Sequence, residues 1–174
     1  MAPESRAPRR ILIDGRSGSG KTELAQSIVE TWPGAQLVRL DDIYPGWDGL
    51  AAASAAVPAI LLDQRWLAWD WETGMPGGSH ALDPARPVVI EGVGALSRAS
   101  RQVADAALWV ELDAATRRRR ALDRDGAYAP FWDRWAAQED AFIAREQPQL
   151  LADAIIDGSS APAALRVARV ALEA

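Results

Sequence analysis

The sequence predicts an α/β fold in which helices cover both faces of one parallel sheet of five strands. Two observations predict this class. Five short apolar runs alternate along the chain with segments whose apolar residues recur at helical spacing. Acidic residues close four of those runs, at the sheet edge where such folds bind ligands. These residues are Asp14, Asp41, Glu91 and Asp157.

The first strand is predicted over residues 10–14, an apolar run bounded by Gly15. A helix is predicted over residues 21–32, where apolar residues recur at helical spacing until Pro33. Similar signals predict four more strands, over residues 36–40, 88–90, 108–112 and 154–156, and a closing helix over residues 161–172. The alternation of these elements is what predicts a parallel sheet.

Residues 43–87 form a long segment rich in Trp, Gly and Pro. We interpret this segment as an insert on the ligand side of the sheet, helical over residues 50–67 and then a loop to Pro87. Residues 1–8 are interpreted as a flexible tail. A chain of 174 residues suits one domain, so residues 1–174 are assigned to a single domain.

Composition argues against several classes of protein. The chain has 49% hydrophobic and 25% charged residues, which is typical of a folded soluble domain, and no apolar run long enough to span a bilayer. The absence of cysteine excludes disulfides and thiolate sites, and the single histidine, His80, excludes a multi-histidine metal site. The net charge of −5 argues against nucleic acid as a partner. Since no secretory signal is visible, we expect a cytoplasmic protein without membrane contact.

One motif carries specific chemistry. Residues 15–22 fit the phosphate-binding loop G-x-x-x-x-G-K-[ST] and lie between a predicted strand and a predicted helix. Glycines let backbone N–H groups turn towards phosphate oxygens at the positive end of the helix dipole. Lys21, the one lysine of the chain, would reach the β- and γ-phosphates, and the Thr22 hydroxyl would ligate Mg²⁺. The predicted cofactor-binding residues are Gly15, Ser17, Gly18, Ser19, Gly20, Lys21 and Thr22.

This motif does not determine whether the terminal phosphoryl group passes to water or to an acceptor. A GTPase would usually carry an Asn-Lys-x-Asp motif, which is absent because Lys21 is the only lysine. Motor and oligomeric ATPases are usually larger than 174 residues. A small kinase that uses ATP and Mg²⁺ therefore fits the chain best.

Further segments resemble a known family. Residues 40–44 are similar to the Asp-Ser-Phe-Tyr of the uridine kinase-like P-loop kinases, and residues 88–92 to the Glu-Gly at the end of their third strand. Residues 116–125 are similar to their arginine-rich lid, and residues 152–156 to their Ala-Asp-hydrophobic strand. With the phosphate-binding loop, the resemblance covers residues 10–157. It implies the P-loop NTPase fold of nucleoside and nucleotide kinases.

The resemblance implies roles for the matched residues. Asp41 would orient or deprotonate the acceptor hydroxyl and help Thr22 and Glu91 hold Mg²⁺. Tyr44 would line the acceptor pocket. Each has a structural alternative: a cap or turn for Asp41, a surface position for Glu91 and a packed aromatic ring for Tyr44. Asp42, the next residue after Asp41, is interpreted as a cap or turn residue.

The lid is predicted over residues 113–128. Arg117, Arg120 and Arg124 share a helix face by their i, i+3, i+7 spacing, and they match the arginines of the family's lid. The resemblance implies that they close over the γ-phosphate, and the alternative is a charged surface helix. The predicted catalytic residues are thus Lys21, Asp41, Arg117, Arg120 and Arg124.

The acceptor site is predicted within the insert. Trp69-Asp70-Trp71 faintly resembles the family's Phe-Asp-His, whose aspartate meets acceptor hydroxyls. Trp69 and Asp70 are therefore predicted substrate residues, together with Asp41 and Tyr44. The alternative is that these tryptophans belong to the core or cap a flap.

The identity of the acceptor stays open. The insert beyond Asp70 and residues 126–150 depart from the family, so a nucleoside is one of several predicted small-molecule acceptors. The others are a sugar, a nucleotide monophosphate and an antibiotic hydroxyl. A regulatory module that binds ATP without efficient transfer is the alternative from another class. No oligomeric state is predicted.

Overall fold

The computed structural model describes residues 9–173, and in the closing helix it describes the side chains of residues 161, 163–166, 168 and 169. The predicted tail, residues 1–8, lies outside the described residues. The strands are β1 (Arg10–Gly15), β2 (Gln36–Arg39), β3 (Arg65–Asp70), β4 (Met75–Ala81), β5 (Val88–Glu91), β6 (Ala106–Glu111) and β7 (Ala154–Asp157). The helices are α1 (Lys21–Thr31), α2 (Leu50–Asp63), α3 (Arg98–Arg101), α4 (Ala114–Arg124), α5 (Trp132–Glu146), α6 (Pro148–Leu151) and α7 (Ala161–Glu173). Two 3-10 turns cover Leu40–Asp42 and Gly126–Phe131.

Five strands form one parallel sheet in the order β2-β5-β1-β6-β7. The central strand β1 is buried on both faces, and Ile11, Leu12 and Ile13 have no exposed surface. Burying one such side chain contributes about 1.5–3 kcal/mol to folding. Burial on both faces explains why these strands are continuous apolar runs. The predicted fold class is confirmed.

Helices cover both faces of the sheet. Successive residues of β1 point to opposite faces, so β1 packs against both layers of helices. On one face, Ile11 belongs to a buried cluster with Leu24 of α1. On the other face, Leu12 belongs to a cluster with Val57 of α2 and Phe142 of α5. The remaining strands and helices predicted from the sequence are confirmed, with ends shifted by at most two residues. None of the helices described has the length and apolar composition that a bilayer crossing needs.

The insert differs from its prediction. α2 ends at Asp63 rather than at residue 67, because Gln64 adopts a left-handed conformation with φ 57°. Residues 65–81, predicted as the helix end and a loop, form the antiparallel hairpin of β3 and β4. The apolar run in β3 suits either a helix or a strand. β4 contains a proline and two glycines, and it is a strand only through its pairing with β3.

Candidate active site

The phosphate-binding loop, the 3-10 turn after β2 and the end of β5 meet at the carboxyl edge of the sheet. Strand register places Glu91 beside Ile13 on one side and beside Arg39 on the other. A cleft of about 1040 Å³ opens at this edge. The predicted site residues that line it are Ser17, Gly18, Gly20, Lys21, Thr22, Asp41, Tyr44, Glu91, Arg120 and Arg124. The structure therefore brings most of the predicted site together.

Close packing shapes the phosphate-binding loop. A Cβ atom on Gly18, whose φ is +78°, would lie 2.1 Å from the carbonyl oxygen of Arg117, so only glycine fits there. α1 begins at Lys21 with no side-chain cap, which leaves the N–H groups of its first turn available to an anion. Gly15 and Ser19 are buried and do not line the cleft. They belong to the base of the loop.

Lys21 and Thr22 both have partners within the site. The Lys21 ammonium donates to the carbonyl oxygen of Arg16 at 3.1 Å and is only 7% exposed. The Thr22 hydroxyl donates to Oε1 of Glu91 at 3.0 Å. Burial raises the pKa of Glu91, and the charge of Lys21 offsets only part of this shift. Thr22 and Glu91, two of the three predicted Mg²⁺ ligands, are thus adjacent, and both supply the oxygen atoms that Mg²⁺ prefers.

Arg39, which the sequence analysis did not single out, joins Asp41 to this pair. Its Nε donates to Oε1 of Glu91 at 3.4 Å, and its guanidinium lies 3.5 Å from Oδ2 of Asp41. The Asp41 side chain is 54% exposed. Among the described residues, no group of three or more Asp, Glu or His side chains could hold a metal ion. The residues present fit Mg²⁺ only with phosphate oxygens completing its shell, which is its usual manner in phosphoryl-transfer sites.

The lid arginines separate into two groups. Arg120 lines the cleft and donates to the carbonyl oxygen of Gly158 at 2.8 Å, and Arg124 lines it as well. Arg117 does not reach the cleft: it is 6% exposed, and its Nε donates to the carbonyl oxygen of Leu112 at 3.0 Å. Helical side chains project towards the N-terminus of their helix, so an arginine in the first turn of α4 reaches back past its start.

Aromatic rings form one side of the cleft. We call Trp47, Trp71, Tyr128 and Phe131 the aromatic wall; all four line the cleft. Trp47 stacks on Phe131 with ring centroids 4.2 Å apart and meets Trp71 at 5.2 Å. Tyr44 lies beside the wall, buried, and its hydroxyl donates to the carbonyl oxygen of Val93 at 2.8 Å. The predictions that Tyr44 lines the cleft and that it is a packed aromatic ring both fit this position.

Trp69 and Asp70 do not line the cleft. The Asp70 carboxylate accepts from the backbone N–H groups of Glu72 and Thr73 at 2.9 and 3.2 Å, so it closes the turn between β3 and β4. Trp71 is the residue of this segment that reaches the site, where its Nε1 donates to the carbonyl oxygen of Asp41 at 2.8 Å. The hairpin, which the sequence analysis missed, is the reason for this difference.

Asp14, which the sequence analysis placed at the end of the first strand without assigning it a role, supports the site from beneath the cleft. Its buried carboxylate accepts from the backbone N–H groups of Gly15, Gly94 and Leu96 at 2.6–3.2 Å, and so ties the phosphate-binding loop to the segment after Glu91. The signal was present, because an aspartate that ends a buried strand beside glycine has backbone donors to satisfy.

We expect Asp14 to make the stability of the protein depend on pH. Burial raises its pKa from 3.8 to about 7, so the folded protein holds a proton that the unfolded chain releases. The contribution of Asp14 to the free energy of unfolding is therefore full below pH 3.8 and is lost as the pH rises to about 7. Chemical unfolding at several pH values should measure the free energy of unfolding of the wild type and of Asp14→Asn. As the pH falls, the free energy of the wild type should rise relative to that of the variant by up to about 1.4 kcal/mol per pH unit. Parallel pH curves would contradict this.

Solved structures of other proteins share the fold of this chain. A scan against protein-family models and a search of curated proteins found no match. A possible uridine kinase from Bacillus stearothermophilus is 20% identical, with a TM-score of 0.58 over 88% of this chain and 91% of that chain. A sugar kinase from Janibacter sp. is 17% identical, with a TM-score of 0.54 over 95% of this chain and 94% of that chain. An uncharacterized protein from Eubacterium ventriosum is 13% identical, with a TM-score of 0.56 over 94% of this chain and 98% of that chain. The chain therefore shares its α/β fold with these solved structures, two of which are described as a possible uridine kinase and a sugar kinase.

Proposed function

We propose that this protein is an ATP- and Mg²⁺-dependent kinase that phosphorylates a hydroxyl group of a small molecule, with a nucleoside as the first candidate. One observation carries the proposal: the Thr22–Glu91 pair and the Asp41 carboxylate open onto the same cleft. A nucleotide on the phosphate-binding loop and a hydroxyl acceptor beside Asp41 would share that cleft. Holding both reactants together is the first requirement of phosphoryl transfer.

Loop residues would bind the phosphates of ATP, through the Lys21 ammonium and the first N–H groups of α1. Mg²⁺ on Thr22 and Glu91 would neutralise charge on the β- and γ-phosphate oxygens. Asp41 would accept the proton of the acceptor hydroxyl. As it does so, the hydroxyl oxygen bonds to the γ-phosphorus and the bond from that phosphorus to the β-phosphate oxygen breaks. The products are ADP and a phosphate ester.

Arg120 and Arg124 would complete the site from the lid. Both are exposed cations at the rim of the cleft, where they can approach the oxygens of the transferring group. Closure over the phosphates also keeps water from competing with the acceptor. Arg117 would have a different role. Its side chain donates to the carbonyl oxygen of Ser17 and would hold the phosphate-binding loop in place.

The aromatic wall supports an acceptor with a flat face, such as a nucleobase or one face of a sugar ring. A phosphorylated acceptor is less well supported. Arg39 already faces Glu91 and Asp41, and the arginines of the insert, Arg65 and Arg86, do not line the cleft. Trp47 and Trp71 line a concave cleft, which favours an acceptor site over a regulatory ATP-binding module.

The proposal is tested by ADP release from ATP and Mg²⁺ across a panel of nucleosides, sugars and nucleotide monophosphates. We expect one class of hydroxyl compound to stimulate release, and the phosphorylated product to form in equal amount. Stimulation by a sugar would support the kinase activity and replace the nucleoside with a sugar as the acceptor. Nucleotide binding without stimulation by any member of the panel would favour the regulatory module.

A further inference from the structure

One carboxylate of α5 is buried against the phosphate-binding loop. Glu139 is 1% exposed, and its two oxygens bind consecutive residues of the loop. Oε1 accepts from the backbone N–H of Ser17 at 2.8 Å, and Oε2 accepts from Nε of Arg16 at 2.9 Å. Glu139 thus fixes one backbone donor and one side chain of the loop from outside the motif.

Arg16 balances this buried charge. Its guanidinium pairs with Glu139 and, at 2.7 Å, with the exposed carboxylate of Asp140. A buried carboxylate is costly unless it is paired and hydrogen-bonded. An unpaired negative charge at this place would also repel phosphate. Pairing with Arg16 therefore lets Glu139 sit beside a phosphate site without opposing the ligand.

Ser17 is held by every polar group it has. Its N–H donates to Glu139, its hydroxyl accepts from the Tyr128 hydroxyl at 3.0 Å, and its carbonyl oxygen accepts from Arg117 at 3.3 Å. Three separate elements, α4, the second 3-10 turn and α5, supply these partners. Ser17 is thus fixed by contacts from three parts of the protein, and such fixed backbone is what a preorganised anion site needs.

We propose that Glu139 is a positioning residue for nucleotide binding: it holds residues 16–18 in the conformation that accepts phosphate. Glu139 does not line the cleft, so it acts through the backbone of Ser17 rather than on the ligand. The proposal rests on the nucleotide-binding part of the proposed function and is independent of the acceptor. It also assigns a role to part of residues 126–150, the segment that departs from the family.

The test compares the affinity of purified variants for ATP with Mg²⁺, without any acceptor, by calorimetry. We expect Glu139→Met, which keeps the length of the side chain but removes both acceptors, to raise the Kd for ATP at least about tenfold. Glu139→Gln keeps an oxygen for the Ser17 N–H and should recover part of that loss. Asp140→Asn is the matched control, since Asp140 meets the same Arg16 from the exposed side, and its Kd should stay within about twofold of the wild type.

The variant Arg16→Met/Glu139→Met separates positioning from simple charge balance. It removes the buried charge of Glu139 together with the charge of its partner Arg16, so its thermal unfolding temperature should return towards that of the wild type even if Glu139→Met alone folds poorly. Its affinity for ATP should stay low, because Ser17 still lacks its acceptor. Wild-type affinity in this double variant would overturn the proposal. A wild-type protein that binds ATP but phosphorylates no acceptor would contradict the kinase and leave this inference standing, whereas a wild type that binds no ATP would overturn both.

Discussion

Lys21→Ala is expected to reduce phosphoryl transfer at least about a hundredfold and to weaken ATP binding. Lys21 is the single lysine of the chain, it is buried at the phosphate-binding loop, and it lines the cleft. Its charge would be nearest to the phosphates, where negative charge must be stabilised as the γ-phosphoryl group moves. The measurement is ADP release with ATP, Mg²⁺ and the stimulating acceptor, together with the Kd for ATP.

Stability must be measured beside turnover in this variant. The charge of Lys21 lowers the pKa of both Asp14 and Glu91. Its removal therefore takes away a charge that stabilises the ionised forms of these two buried carboxyl groups. Thermal unfolding will separate a loss of fold from a loss of chemistry. Lys21→Arg is the charge-matched control: it should unfold nearer to the wild type but stay impaired, because a planar guanidinium does not replace a compact ammonium. Wild-type turnover in Lys21→Ala would remove the loop from the proposed mechanism.

The main sheet could be predicted because each strand carries its own signal. Ile11, Leu12 and Ile13 are buried on both faces of β1, and such a strand is a continuous apolar run whatever its neighbours are. The hairpin could not be predicted in this way. All seven residues of β4 are exposed, so pairing with β3 defines the strand and no burial pattern marks it. Missing the hairpin in turn misplaced Asp70, which caps its turn.

The site residues also fall into two groups: those with a local sequence signal could be predicted, and those placed by long-range packing could not. Thr22 follows from a contiguous motif and Glu91 from the end of a strand, and both signals are local. Glu139 reaches Ser17 across 122 positions of sequence through the packing of α5, and no short pattern encodes that approach. Arg117 shows a limit of helix-face reasoning. It shares a face with Arg120 by spacing, but its side chain extends past the start of the helix to the carbonyl oxygens of Leu112 and Ser17 and does not line the cleft.

Asp41→Asn is expected to lower kcat by about 10²- to 10⁴-fold, the range for removal of a general base. The Kd for ATP should stay within about twofold, because nothing in the phosphate-binding loop contacts the Asp41 carboxylate, whose nearest cation is Arg39 at 3.5 Å. Asparagine has nearly the same shape, so the 3-10 turn and the bond from Trp71 to the Asp41 carbonyl oxygen should persist. Single-turnover kinetics at saturating ATP and acceptor will measure the chemical step directly.

Asp42→Asn is the matched comparison, since Asp42 is the adjacent carboxylate and also lines the cleft. Arg39 makes ion pairs with Asp41 and Glu91, and Glu91 accepts from Thr22, so Asp41 is the carboxylate that we expect nearer to the transferring phosphoryl group. We therefore expect kcat of Asp42→Asn to fall no more than about fivefold, as for a change in surrounding charge alone. The reverse order of effects would transfer the role of base to Asp42. A single hydroxyl proton needs only one base. Equal losses in the two variants would therefore mean that neither carboxylate is the sole base and that both act on the acceptor through their negative charge.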